Sequence, residues 1–153
     1  MDIAIIAGSK SDDSILEPSL STILNVFGVK YEKRFLSAHR TPKELESFIE
    51  QCEQQNVSVY ICAAGMAAHL AGAVAARTVK PVIGIPINSS PFNGLDALLS
   101  TVQMPPGIPV ATVAVNGVKN AAFLALQMLG IADSRIDKML VDHRNDMKND
   151  LLG

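Results

Sequence analysis

Tryptophan is absent from this chain of 153 residues, tyrosine occurs twice and phenylalanine five times. Any core must therefore be built from small aliphatic side chains packed closely. There are only two cysteines, Cys52 and Cys62, in neither a CxxC pair nor a Cys/His metal spacing. That excludes a disulfide framework and a zinc module, and both thiols read as reduced core residues. Charge is also scarce. With 18% charged residues and a net charge of −2, the chain offers no basic field for nucleic acid or an anionic membrane. No apolar run approaches the roughly 20 residues that span a bilayer, and the first residues read as a strand rather than a leader. The expected compartment is the cytoplasm and the expected ligand a small molecule.

What is present is an apolar fraction of 48%, enough for one domain with a sizeable core and with apolar surface left over for a homo-oligomer. Residues 2–7 (DIAIIA) form a nearly continuous apolar run ended by Gly8, as in a strand covered on both faces. Leu16, Leu20, Ile23, Leu24 and Phe27 then recur at helical spacing up to Gly28, with Pro18 either kinking the helix or standing in its first turn. Residues 29–36 alternate and suggest a second strand nearer an edge. Thr41, Pro42 and Glu44 read as the N-cap, first helical position and capping-box acid of a helix with the stripe Leu45, Phe48, Ile49 and Cys52.

Residues 57–63 and 81–85 read as two further strands, each leading into a helix, the first reaching about Arg77 and the second spanning residues 94–102. Residues 110–115 (VATVAV) read as a fifth, buried strand before an apolar helix over residues 119–129. Five such alternations predict an α/β fold, a three-layer α/β/α sandwich around a flavodoxin-like parallel five-stranded sheet. Residues 1–130 would form its core. Residues 131–153 turn charged while keeping Ile136, Met139, Leu140, His143 and Met147 at helical spacing, which predicts a protruding C-terminal helix that reaches a neighbouring subunit, with a helix packed on its own domain as the alternative.

Ligands of open parallel sheets collect beyond the carboxyl ends of the strands. The loops there cover residues 8–12, 37–41, 64–69 and 87–93. Gly8, Ser9 and Ser11 suit a phosphate, although no GxGxxG or P-loop is present, and Asp12 fits a helix cap or a partner for sugar hydroxyls. Arg40 supplies a fixed positive charge. His39 is suited to proton transfer and His69 to ligand contact, each with a structural role as the alternative. A Ser9 or Ser37 nucleophile paired with His39 stays open, but the G-x-S-x-G elbow is missing.

Six segments in order, GSKSD (8–12), SAHRTP (37–42), AAHL (67–70), NGLD (93–96), QMP (103–105) and KNAA (119–122), resemble the class I N5-carboxyaminoimidazole ribonucleotide mutases of bacterial purine synthesis. The likeness runs from about residue 3 to 130. It implies movement of a carboxyl group within one nucleotide, from the exocyclic nitrogen to the ring carbon, through released and recaptured carbon dioxide, with no ATP, metal, biotin or other cofactor. By that resemblance Ser9 and Arg40 would hold the 5′-phosphate and Asp12 the ribose hydroxyls, with Ser11 among the substrate-binding residues. Ser37 with Ala64, Gly65 and His69 would enclose the imidazole, and His39 would act as general acid and base. The family is octameric, with sites at subunit contacts. Met66 replaces a usual Gly and Ala71 a usual Pro; Met66 is expected to need a backbone without positive φ. The alternatives are a class II aminoimidazole ribonucleotide carboxylase, which typically has Lys where this chain has Arg40, and a non-catalytic nucleotide- or flavin-binding module.

Overall fold

A computed structural model describes residues 1–153. Its five strands are β1 (Ile3–Ala7), β2 (Tyr31–Phe35), β3 (Val59–Gly65), β4 (Val82–Ile87) and β5 (Ala111–Thr112), all paired in parallel in the order β2-β1-β3-β4-β5. The helices are α1 (Asp13–Leu16), α2 (Ser19–Val26), α3 (Pro42–Gln54), α4 (Leu70–Ala75), α5 (Leu95–Val102), α6 (Val118–Gly130) and α7 (Ser134–Leu152). A 3-10 turn, Lys10–Asp12, precedes α1. This is the doubly wound α/β sandwich expected, with the flavodoxin-like strand order.

Alternation along β1 divides the core. Ile3, Ile5 and Ala7 face Leu20 and Leu24 of α2 and Ala121, Ala122 and Ala125 of α6. Ala4 and Ile6 face Leu45, Phe48, Ile49 and Cys52 of α3 and Leu70 and Val74 of α4. Every position of the α3 stripe is thus buried. Small residues set the spacing between layers: a Cβ on Gly84 would lie 2.3 Å from Cγ2 of Thr101 on α5. Cys52 and Cys62 are free and buried, and burial pushes the Cys52 thiol up to about 11.

Of the two expectations for Pro18, the one at a helix start is nearer: lacking a backbone N–H, it immediately precedes Ser19, the first residue of α2, and separates α2 from α1 instead of kinking one helix. Three other local expectations change. Thr41 precedes α3 without capping it. Its hydroxyl accepts from the Ser37 N–H (2.8 Å) and donates to the Ser37 carbonyl (3.2 Å), so it closes the 37–41 loop and the capping box does not form. The helix after β3 is only Leu70–Ala75, because residues 66–69 form the turn that brings the chain over the sheet. The fifth strand has two residues, both half-buried, since it lies at an edge and pairs only with Ile83 and Gly84.

In α7, Asp133 caps the N-terminus by accepting from the N–H groups of Arg135 and Ile136. Ile136 and Leu140 pack into the core, and the His143 ring stacks on Phe123 of α6 at 4.7 Å. The distal half carries exposed Met147, Leu151 and Leu152. No helix is long and apolar enough to cross a membrane.

Candidate active site at the switch point

From β1 the chain crosses first to one side of the sheet, to β2, and later to the other, to β3. The loops leaving these strands therefore part over the carboxyl end of β1, and a cavity of about 490 Å³ opens there. All ten residues singled out from the sequence, Gly8, Ser9, Ser11, Asp12, Ser37, His39, Arg40, Ala64, Gly65 and His69, line it. Ala38, Met66, Ala67, Leu70 and Ser89 complete the lining and were not among them. Ser89 alone comes from β4, and its position in the 87–93 loop was the available signal.

The first loop is a closed hydrogen-bonded unit. Ser9 Oγ caps the 3-10 turn by accepting from the Ser11 N–H, and the Ser9 N–H donates to Asp12 Oδ2 at 3.1 Å. The Ser9 and Ser11 hydroxyls lie 2.7 Å apart. Asp12 is therefore the reciprocal acid of Ser9's capping box and not a side-chain cap of α1. It is only 5% exposed. Burial raises its carboxyl above the ordinary range, against hydrogen bonds from Ser9 and Ser11 and the nearby charge of Arg40.

The second loop is tied by Ser37, whose Oγ accepts from the N–H groups of His39 (3.3 Å) and Arg40 (3.2 Å). Arg40 Nη2 reaches across to donate to the Gly8 carbonyl at 2.7 Å. That bond engages one of five guanidinium donors and leaves positive charge at the cavity. His39 Nε2 meets His69 Nδ1 of the third loop at 2.9 Å, with the rings edge to face. One ring donates and the other accepts, so the protonation of each constrains the tautomer of its partner.

Glycine at 65 leaves room for Ser89: a Cβ there would stand 1.8 Å from Ser89 Oγ, which would have to rotate away, and 3.2 Å from the Ile87 carbonyl. The next residue corrects an expectation: Met66 does adopt positive φ, at 54°. Met66 is 60% exposed at the rim of the cavity, so it carries the local strain of a left-handed backbone, Cβ against the following carbonyl, without a burial cost added to it.

A small-molecule site of a doubly wound α/β protein, with a histidine pair and an arginine facing buried acid and serine hydroxyls, is the class these features define. Within that class the chain matches the family model described as AIR carboxylase over residues 2–150, and it belongs to that family. It is 50% identical over 146 residues to the N5-carboxyaminoimidazole ribonucleotide mutase of Pyrococcus abyssi, covering 95% of this chain and 83% of that one. It is 48% identical over 150 residues to the protein of the same name from Saccharolobus solfataricus, covering 98% and 94%. A crystal structure of Treponema denticola PurE superposes with a TM-score of 0.89 at 30% identity, over 98% of this chain and 93% of that one.

Proposed function

We propose that this protein is an isomerase of purine biosynthesis that moves the carboxyl group of N5-carboxyaminoimidazole ribonucleotide from the exocyclic nitrogen to the ring carbon. The observation that carries this reading is the hydrogen-bonded His39–His69 pair in the same cavity as Arg40, Ser9 and Asp12. Such a cavity supplies a proton carrier beside a seat for a phosphorylated sugar.

In this reading the hydroxyls of Ser9 and Ser11 and the free donors of Arg40 hold the 5′-phosphate, while Asp12 accepts from the ribose hydroxyls. Ser37 and the 64–69 loop enclose the imidazole. Protonated His39 gives its proton to the carbamate nitrogen. The nitrogen–carboxyl bond breaks with its electron pair passing to nitrogen, and carbon dioxide is released. The ring carbon, made nucleophilic by the amine, forms a new bond to that carbon dioxide. His39 then removes the proton from the same ring carbon and aromaticity returns, so the histidine ends as it began. His69, bonded to His39 Nε2, holds the ring in place for both transfers. Ala64, Ala67 and Leu70 provide an apolar lining that keeps carbon dioxide from escaping between steps.

The apolar side chains exposed on α5 and α7, among them Leu95, Leu99, Val102, Met147 and Leu151, support assembly as a homo-octamer in which α7 reaches a neighbour. The cytoplasm, where purine intermediates are made, is the compartment that fits this role.

The test follows labelled carboxyl from the carbamate substrate in bicarbonate-free buffer. Transfer of the label to carbon by the wild type, abolished in His39→Asn with the fold intact, is the expected result. Retention of most activity by that variant would sink the assignment. A second reading, direct carboxylation by free carbon dioxide, is favoured by the description of the matching family model. It requires turnover to depend fully on added bicarbonate.

A further inference from the structure

Beyond these ten residues the cavity holds one more side chain able to donate a hydrogen bond, Ser89, and its setting differs from that of the other serines. Ser9 and Ser11 bond to each other, and Ser37 accepts from two backbone N–H groups. Ser89 has neighbours that are pinned on both sides. The Asn88 N–H donates to Asn116 Oδ1 at 2.9 Å, and Ser90 Oγ donates to Asp96 Oδ1 at 2.9 Å. The Ser89 hydroxyl between them has no partner within the protein. Its backbone is thus bracketed by anchored neighbours, and its exposed hydroxyl is free to bond a ligand.

Its location narrows what that is. Ser89 Oγ occupies space that only a glycine at 65 leaves open, against the loop that carries His69. The phosphate-type donors, Ser9, Ser11 and Arg40, lie with Gly8 at the ends of β1 and β2. Ser89 enters from β4, with β3 intervening between it and β1. It therefore serves the end of the cavity away from the phosphate seat, where the 64–70 lining is Ala, Gly, Met and Leu apart from His69, whose Nδ1 is engaged with His39. A carboxylate arriving in that apolar end needs a donor.

We infer that the Ser89 hydroxyl, positioned by the absence of a side chain at Gly65, donates a hydrogen bond to the migrating carboxyl group once it is on the ring carbon. The inference rests on the mutase reading and adds a residue that tells carboxylated from non-carboxylated nucleotide. Ser89→Ala removes the donor, and Ser89→Thr keeps it. Titration calorimetry with the carboxylated product and with plain aminoimidazole ribonucleotide reads the two cases.

The expected result for Ser89→Ala is a loss of roughly 10- to 100-fold in affinity for the carboxylated nucleotide, the range for a hydrogen bond to a charged group. Affinity for the non-carboxylated nucleotide stays within about twofold, as expected where no such bond is lost, and Ser89→Thr retains the discrimination. Wild type that binds both, with Ser89→Ala losing neither or both equally, overturns the inference while leaving the mutase reading in place. Wild type that binds neither nucleotide overturns both.

Discussion

Asp12 and Glu17 stand on the same short segment after β1, yet their surroundings move them in opposite directions. Asp12 faces the cavity and is nearly covered, and burial raises its carboxyl despite bonds from Ser9 and Ser11. Burial also acts on Glu17, but hydrogen bonds from Lys33 and Ser21 together outweigh it and hold Glu17 below the ordinary range. Lys33 of β2 bridges Asp13 at 2.6 Å and Glu17 at 2.8 Å, tying α1 to the sheet edge. The difference separates an acid that faces the cavity while closing Ser9's capping box, and that the proposed function assigns to the ribose, from an acid whose charge is paired with Lys33. The first is left with its charge incompletely compensated, and the second is paired.

The pH dependence of stability sharpens this contrast. A carboxyl raised in the folded state binds more protons there than in the unfolded chain. Stability from Asp12 is thus greatest at low pH and falls as pH rises from the ordinary carboxylate range through its raised value. Glu17 behaves oppositely: its contribution is present above its unfolded value and disappears as pH falls through its lowered one.

The largest effect is expected from Asp12→Asn, which should raise KM for the nucleotide on the order of tenfold or more by removing a charged acceptor. It should also flatten the part of the stability curve that falls with rising pH, whereas Glu17→Gln should remove a part that rises. Thermal unfolding of both variants between about pH 3 and 7 checks this, and slopes of the same sign would break the comparison.

A smaller effect is expected from Lys33→Met. The ion cluster is part-exposed, so its loss should cost about 1 kcal/mol, a fall of roughly 2–4 °C in Tm for a domain of this size. Any change in kcat/KM should be below that of Asp12→Asn, and a greater kinetic loss would show that the cluster serves the site directly.

The smallest effect is expected from Met66→Gly. Relief of the left-handed backbone, worth about 1–2 kcal/mol, is offset by about 0.4–1 kcal/mol of extra unfolded-chain entropy. Tm should therefore stay level or rise slightly in a thermal scan. A clear fall would mean that the exposed Met66 side chain makes contacts in the assembled protein that matter more than its backbone.

Much of the fold was legible because its signals are local. The apolar run of β1, the α3 stripe and Pro42 at the start of α3 depend on spacing and on the proline ring, and all were found in place. The loops at the carboxyl strand ends could also be named, since strand–helix alternation fixes which ends face the same way. The two-residue β5 could not. Its sequence VATVAV has the pattern of a buried strand, and only its edge position limits the pairing.

Alone, the sequence determined the alternation of elements, the loops that carry chemistry, and the residue types in them. Only the tertiary structure decided that His39 and His69, 30 positions apart, share a hydrogen bond. It also decided that Thr41 closes a loop instead of capping a helix, that Met66 takes a left-handed backbone, and that Ser89 rests over Gly65. The reason is physical. Helix and strand patterns arise from periodicity within one segment, whereas these contacts depend on how parallel strands align in register and on which loops that register brings over the same end of the sheet.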